Sequence, residues 1–132
     1  MPDSMRRPVV GICTHLARIR FGAWDDAAEY LGAEVVRAIQ RAGAQVLIVP
    51  RDPELIDRPA EILDRLDGLV VELPAAGSPP SWVDGPLFTE TLGSHAERQG
   101  LPVLRIAHST DTDGGRDRTA EALTAFVAGL RR

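Results

Sequence analysis

The stretch VVRAIQRAGAQVLIVP, residues 35–50, contains the pattern of a helix, a turn and a strand in that order. Its first half places Val35, Val36 and Ile39 on one face of a helix. Gly43 follows as the residue that commonly ends a helix, because glycine adopts the left-handed conformation without strain. The apolar run Gln45–Val49 then has the near-continuous hydrophobicity of a strand in a parallel sheet covered on both faces. The stretch therefore predicts an α/β fold.

Three further apolar runs have the same character, at residues 8–13, 69–73 and 101–106. Helical patterns lie between them. The first is expected to be capped by Asp25 or Asp26, the second to be an interrupted helix because of Pro59. The other two are predicted over 87–98 and 117–130. The alternation predicts one domain, residues 1–132, with a flavodoxin-like three-layer sandwich and a mostly parallel central sheet of about four to five strands.

Composition limits the class of protein. The net charge is −4 and all 15 basic residues are arginine, which argues against a nucleic-acid partner and excludes lysine chemistry. Cys13 is the one cysteine, so no internal disulfide forms and a reducing compartment is expected. Neither a signal peptide nor a membrane span is visible in the sequence. We expect a cytoplasmic protein with no membrane partner and no cofactor or metal.

Two long connections, residues 18–24 and 74–85, leave the carboxyl ends of predicted strands, where open α/β sheets bind ligands. Candidate ligand-binding residues at this edge are Trp24, Asp25, Glu72, Trp82 and Ser109. The alternative is that these are surface loops with one buried tryptophan. For Glu72 we expect a side chain that reaches solvent, with contact to a cationic ligand group as the alternative.

Several pieces of the sequence occur in the order found in a known family. They are RPVVGICTH (7–15), WD (24–25), VVRAIQRAGAQVLIVP (35–50), ILDRLDGLVV (62–71) and ERQGLPVL (97–104), together with Phe88. The chain resembles the class I glutamine amidotransferase superfamily, in its γ-glutamyl-γ-aminobutyrate hydrolase-like branch. Members of that branch are longer, so the resemblance implies a truncated member.

The resemblance implies a thiol hydrolase in which a cysteine attacks a γ-glutamyl amide, a histidine oriented by a glutamate moves protons, and backbone amides stabilise the oxyanion. The position of that cysteine is Ala107 here, and its flanking glycines are Arg105 and Ser109. The oxyanion turn includes Pro74, which has no N–H to donate.

A second alignment of residues 101–132 makes His108 the family histidine, with Ser109 and Thr110 in place of proline and glutamate. In neither alignment do the cysteine, histidine and glutamate all survive. His108 is then expected to be a relic or a helix cap. Cys13 is expected to be a small buried apolar residue rather than a nucleophile.

The sequence therefore favours a catalytically degenerate domain that binds a small-molecule ligand or a protein partner, in a binding, regulatory or structural role. The alternative is an active hydrolase or transferase that uses Cys13, His108, Ser109 or Glu72. A homodimer is also expected, because a shortened sheet leaves edges uncovered and the last helix carries an apolar stripe, at Leu123, Phe126, Val127 and Leu130. The alternative is that the last helix packs on its own sheet.

Overall fold

The computed structural model describes residues 6–73, 84–107 and 114–130. In chain order the elements are β1 (Val9–Cys13), β2 (His15–Phe21), β3 (Trp24–Tyr30), α1 (Ala33–Arg41), β4 (Gln45–Val49), α2 (Glu54–Asp57), α3 (Ala60–Leu63), β5 (Gly68–Leu73), α4 (Asp84–Arg98), β6 (Val103–Ala107) and α5 (Gly114–Leu130).

Four strands form a parallel sheet in the order β4-β1-β5-β6. All five residues from Gly68 to Glu72 are buried. A strand without an exposed face must be covered by helices on both sides, which explains its lack of polar alternation. The predicted three-layer α/β fold with a mostly parallel sheet is confirmed.

Two apolar layers fill the space between the sheet and its helices. One contains residues of β1 and β5 with α3 and α4, represented by Leu63, Leu69 and Leu92. The other joins the opposite face of the sheet to α1 and α5, represented by Ile12, Ile39 and Leu123. Each of these six side chains is at most 1% exposed. The sheet is thus the middle layer of a sandwich.

Two helix predictions are confirmed in detail. Gly43 has a φ of 102° just after α1, the left-handed conformation expected of the residue that ends a helix. Residues 53–66 form two short helices rather than one, and Pro59 is the N-cap of the second. Proline is tolerated there because the first amides of a helix have no partner within it.

The predicted start of the first helix is wrong. Asp25 and Asp26 lie in β3, and α1 begins at Ala33 with Gly32 as an N-cap that makes no side-chain cap bond. The segment expected to be a loop is an antiparallel β-hairpin, β2–β3. The second half of β2, RIRF at residues 18–21, alternates in polarity, and Gly22 at φ 61° makes the tight turn that such hairpins need.

The last helix packs on its own sheet. Leu123 and Val127 are fully buried, while Phe126 and Leu130 pack against the same apolar layer. The apolar stripe on α5 is therefore buried within the chain. The alternative expectation, that this helix packs on its own sheet, is confirmed. None of the helices in the described part of the chain is long and apolar enough to cross a bilayer.

Candidate functional site

The carboxyl ends of β1 and β5 form the position in the sheet where ligands are expected. The chain passes from β1 outward to β4 and then returns to the other side of β1 to form β5. In sheets of this order the crevice at the reversal, outside the strand ends, is the usual ligand site. Thr14 follows β1 directly, and Glu72 is the penultimate residue of β5.

A histidine–carboxylate pair occupies this position. His15 Nε2 contacts Glu72 Oε1, and the two side chains are 18% and 6% exposed. The ring of Tyr30, the neighbour of His15 across the hairpin, lies with its centroid 5.5 Å from the imidazole centroid. The expectation that Glu72 reaches solvent is wrong, because the first residue of the hairpin covers it.

A second polar contact joins the hairpin to the sheet. Glu29 Oε1 accepts a hydrogen bond from Thr14 Oγ1 at 3.0 Å and one from the Arg51 backbone N–H at 2.8 Å. The Arg51 guanidinium Nε lies 3.5 Å from the same oxygen and is buried without a hydrogen bond of its own. The base of the hairpin is therefore held to the ends of β1, β4 and β5 together.

Cys13 faces the apolar layer between the sheet and the helices α3 and α4. It is 2% exposed and belongs to the layer that includes Phe88 and Leu92. Burial raises the pKa of the thiol to about 12, although a hydrogen bond with Thr89 opposes the shift. Since the thiolate is the nucleophilic form, a thiol with this pKa is inert at neutral pH. Its environment is that of a core residue.

Ala107 is the last residue of β6 and pairs with Leu73 of β5. The resemblance expects glycine two positions earlier, where this chain has Arg105. That guanidinium bonds Glu97 at 2.6 Å and lies 3.7 Å from Glu90, both on α4. Arg105 thereby joins β6 to α4 two residues before Ala107, where the resemblance expects the nucleophile.

The His15–Glu72 pair and Arg105 lie on different faces of the sheet. Glu72 is level with Ile106, which packs in the layer of α1 and α5. Arg105 contacts α4 on the other face. The pair is therefore not part of the environment of Arg105, although both are near the carboxyl edge.

The other predicted ligand residues fall in two groups. Trp24 and Asp25 lie at the far end of the hairpin, about 20 Å from His15 along the strand. Asp25 accepts hydrogen bonds from Arg18 at 2.7 and 3.0 Å. The remaining candidates Pro74, Trp82, His108 and Ser109 lie outside the described residues.

Sequence reasoning missed the roles of His15, Glu29, Tyr30 and Arg51. The one available signal was a histidine two residues beyond a buried strand, followed by alternating polarity. In the described residues, no group of three or more histidine, cysteine, aspartate or glutamate side chains is arranged to hold a metal ion.

Comparison with known proteins identifies the family. The family model for Peptidase C26 matches residues 8–81. A Mycobacterium tuberculosis (strain ATCC 25618 / H37Rv) protein named "Putative glutamine amidotransferase Rv2859c" is 31% identical over 118 residues, an alignment that includes 79% of this chain. The chain spans 38% of the length of that relative. With the parallel sheet and the matched strands β1, β4 and β5, these matches show that the chain belongs to the Peptidase C26 family of glutamine amidotransferase-like proteins.

Proposed function

We propose that this chain is a catalytically inactive member of its family, a pseudoenzyme whose domain binds a small-molecule or protein partner in a regulatory or structural role. The observation that carries the proposal is Ala107 at the end of β6, where the resemblance places the nucleophilic cysteine. A methyl group has no electron pair with which to attack an amide, so the covalent step of the family reaction has no nucleophile there.

Cys13 does not replace the missing thiol. It is the one cysteine of the sequence, it is 2% exposed, and its pKa is about 12. A substrate amide has no access to a side chain within an apolar layer. Nucleophilic catalysis also needs a base within hydrogen-bond reach, whereas this thiol forms a hydrogen bond with the Thr89 side chain, which is not a base.

The alternative is a hydrolase or transferase that acts through His108 or Ser109. A direct assay separates the two possibilities: release of ammonia from L-glutamine and of p-nitroaniline from γ-glutamyl-p-nitroanilide. The inactive domain gives no release above buffer. Turnover that survives Cys13→Ala and disappears in Ser109→Ala or His108→Ala supports the alternative and contradicts the proposal.

We also propose that the chain forms a homodimer, for which the edge strand β4 now provides the reason. Leu47 and Ile48 on this strand are 36% and 52% exposed. Within the described residues β4 pairs with β1 alone and carries no charged side chain. Strand edges without charge, proline or a bulge are surfaces that pair with another chain. A twofold axis beside the free edge of β4 would pair this strand with β4 of a second copy and continue the sheet.

For the location we propose the cytoplasm. The support is the free, buried thiol of Cys13, which is the state expected in a reducing compartment. Fractionation of the native host with a cytoplasmic marker tests this, and enrichment in an oxidising compartment contradicts it.

A further inference from the structure

We infer that Glu72 is the anchor of a binding site for small molecules with an ammonium or guanidinium group, and that His15 on the hairpin occupies the place of that group when no ligand is bound. The hairpin β2–β3 then acts as a gate at the carboxyl edge of the sheet. This inference rests on the binding function proposed above and names its ligand class.

The first argument is position. Thr14 and Glu72 end the two strands that flank the reversal of strand order, where a sheet of this type has its crevice. Both residues are buried, at 6% and 7% exposure. The residue that covers Glu72 from the hairpin is His15.

The second argument is charge. A carboxylate removed from water is costly unless an opposite charge or hydrogen-bond donors compensate it. The His15 imidazole donates to Glu72 and, when protonated, also balances its charge. An alkylammonium or guanidinium group supplies the same donor and the same charge, and so competes for the same oxygen. Glu29, the other carboxylate at the base of the hairpin, contacts Thr14 and Arg51 rather than His15.

The third argument is that the histidine belongs to an element separate from the sheet. In the described part of the chain β2 and β3 pair with each other and with none of the four central strands. His15 pairs with Tyr30 and Leu16 with Glu29, so a shift of the start of β2 carries the end of β3 with it and breaks the Glu29 contacts with Thr14 and Arg51 as well. Such a shift of the hairpin leaves the central sheet intact.

The test uses n-butylammonium as the probe and n-butanol as its uncharged control. Binding is followed by NMR titration, and hairpin movement by hydrogen exchange of residues 15–30 measured by mass spectrometry. We expect the ammonium ion to bind and to accelerate exchange in the hairpin, while butanol does neither at the same concentration.

Two substitutions are expected to act in opposite directions. His15→Gln removes the imidazole that competes for Glu72, and affinity for n-butylammonium rises about tenfold because less of the protein is in the closed state. Glu72→Gln removes the anchor and abolishes binding. Arg58→Gln, which removes an exposed ion pair with Glu54 of α2, is the matched control. It leaves the affinity for n-butylammonium and the hydrogen exchange of the hairpin unchanged. Weaker binding in His15→Gln, or retained binding in Glu72→Gln, overturns the inference.

Circular dichroism establishes that each variant is folded. If Glu72→Gln does not fold, the sign of the His15→Gln effect still decides, and His15→Asn provides a second variant for it. The inference and the proposed function fail separately. Turnover of a γ-glutamyl amide would contradict inactivity without affecting the exchange result, whereas absent amine binding in an inactive protein contradicts the gate alone.

Discussion

His15 and Glu72 are 57 positions apart in the chain, and yet His15 Nε2 and Glu72 Oε1 are in direct contact at the carboxyl edge of the sheet. The first residue of a hairpin is thus joined to the end of a central strand. Glu29 provides a second connection from the hairpin, to Thr14 and Arg51. All these contacts are polar and lie at the edge of the sheet.

His15→Gln is expected to lower the free energy of unfolding by about 1–3 kcal/mol, since it weakens a hydrogen bond to a buried carboxylate. Glu54→Gln removes an exposed partner of Arg58 and is expected to have no measurable effect. Urea unfolding of both variants beside the wild type measures the two changes. Equal effects in the two variants would contradict the special position of the His15–Glu72 pair.

Cys13 is expected to make stability depend on pH in the alkaline range. Its pKa is about 12 in the folded chain and 9.0 for an unburied thiol. Above pH 9 the unfolded chain loses this proton while the folded chain keeps it, so the stability that the neutral thiol contributes is fully present below pH 9 and is lost as pH rises towards 12. Chemical denaturation at pH 8 and at pH 10.5 measures the loss.

The control for this pH effect is Cys13→Ala, which should show a smaller decrease between the same two pH values. Iodoacetamide should also leave the native thiol unmodified at pH 8 and alkylate it rapidly in urea. Fast modification of the folded protein would contradict the buried position of Cys13.

Gly68 at the start of β5 is expected to tolerate no larger residue. An added Cβ would lie 2.9 Å from both Leu130 Cδ1 and Phe126 Cζ, two side chains of α5. Gly68→Ala should therefore cost about 1–3 kcal/mol through overpacking. Gly129→Ala, on α5 with no heavy atom within 4 Å of its added Cβ, should stabilise by about 0.5–1 kcal/mol. Thermal unfolding of the two variants checks whether the effects have opposite signs.

Much of the fold could be predicted because strands and helices are local patterns. The buried runs at β1 and β5 and the stop at Gly43 were all readable, since a strand covered on both faces must be apolar throughout. The run at β4 was also readable as a strand, but it is an edge strand with Leu47 and Ile48 exposed rather than covered on both faces. The hairpin was not predicted because aspartates before an apolar stripe also fit a helix cap. Its alternating polarity was the competing signal, and the turn at Gly22 decides in its favour.

The candidate site was less predictable because it depends on long-range geometry. Glu72 follows four buried strand residues, so solvent was the natural expectation for a charged strand end. Its burial requires a partner, and the sequence gives no indication that a histidine on a distant hairpin supplies one. The assignment of position 107 to the family nucleophile rests on one of two alignments of residues 101–132 and stays a prediction.

Leu47→Lys is expected to convert the proposed dimer to a monomer, because a charged residue on an edge strand prevents another strand from pairing with it. Glu34→Lys, at an exposed position in the first turn of α1, is the control for added positive charge. Light scattering over a dilution series at micromolar concentration measures the mass. A wild type that remains at 14.3 kDa throughout would contradict the dimer.

The central claim is that the family reaction is absent, and p-nitroaniline release from γ-glutamyl-p-nitroanilide tests it most directly. The wild type is predicted to give no release above buffer, and Ala107→Cys alone to form no acyl-enzyme by mass spectrometry, because a thiol also needs a base and an oxyanion site. Turnover by the wild type that is proportional to enzyme concentration and persists through repurification would contradict the account.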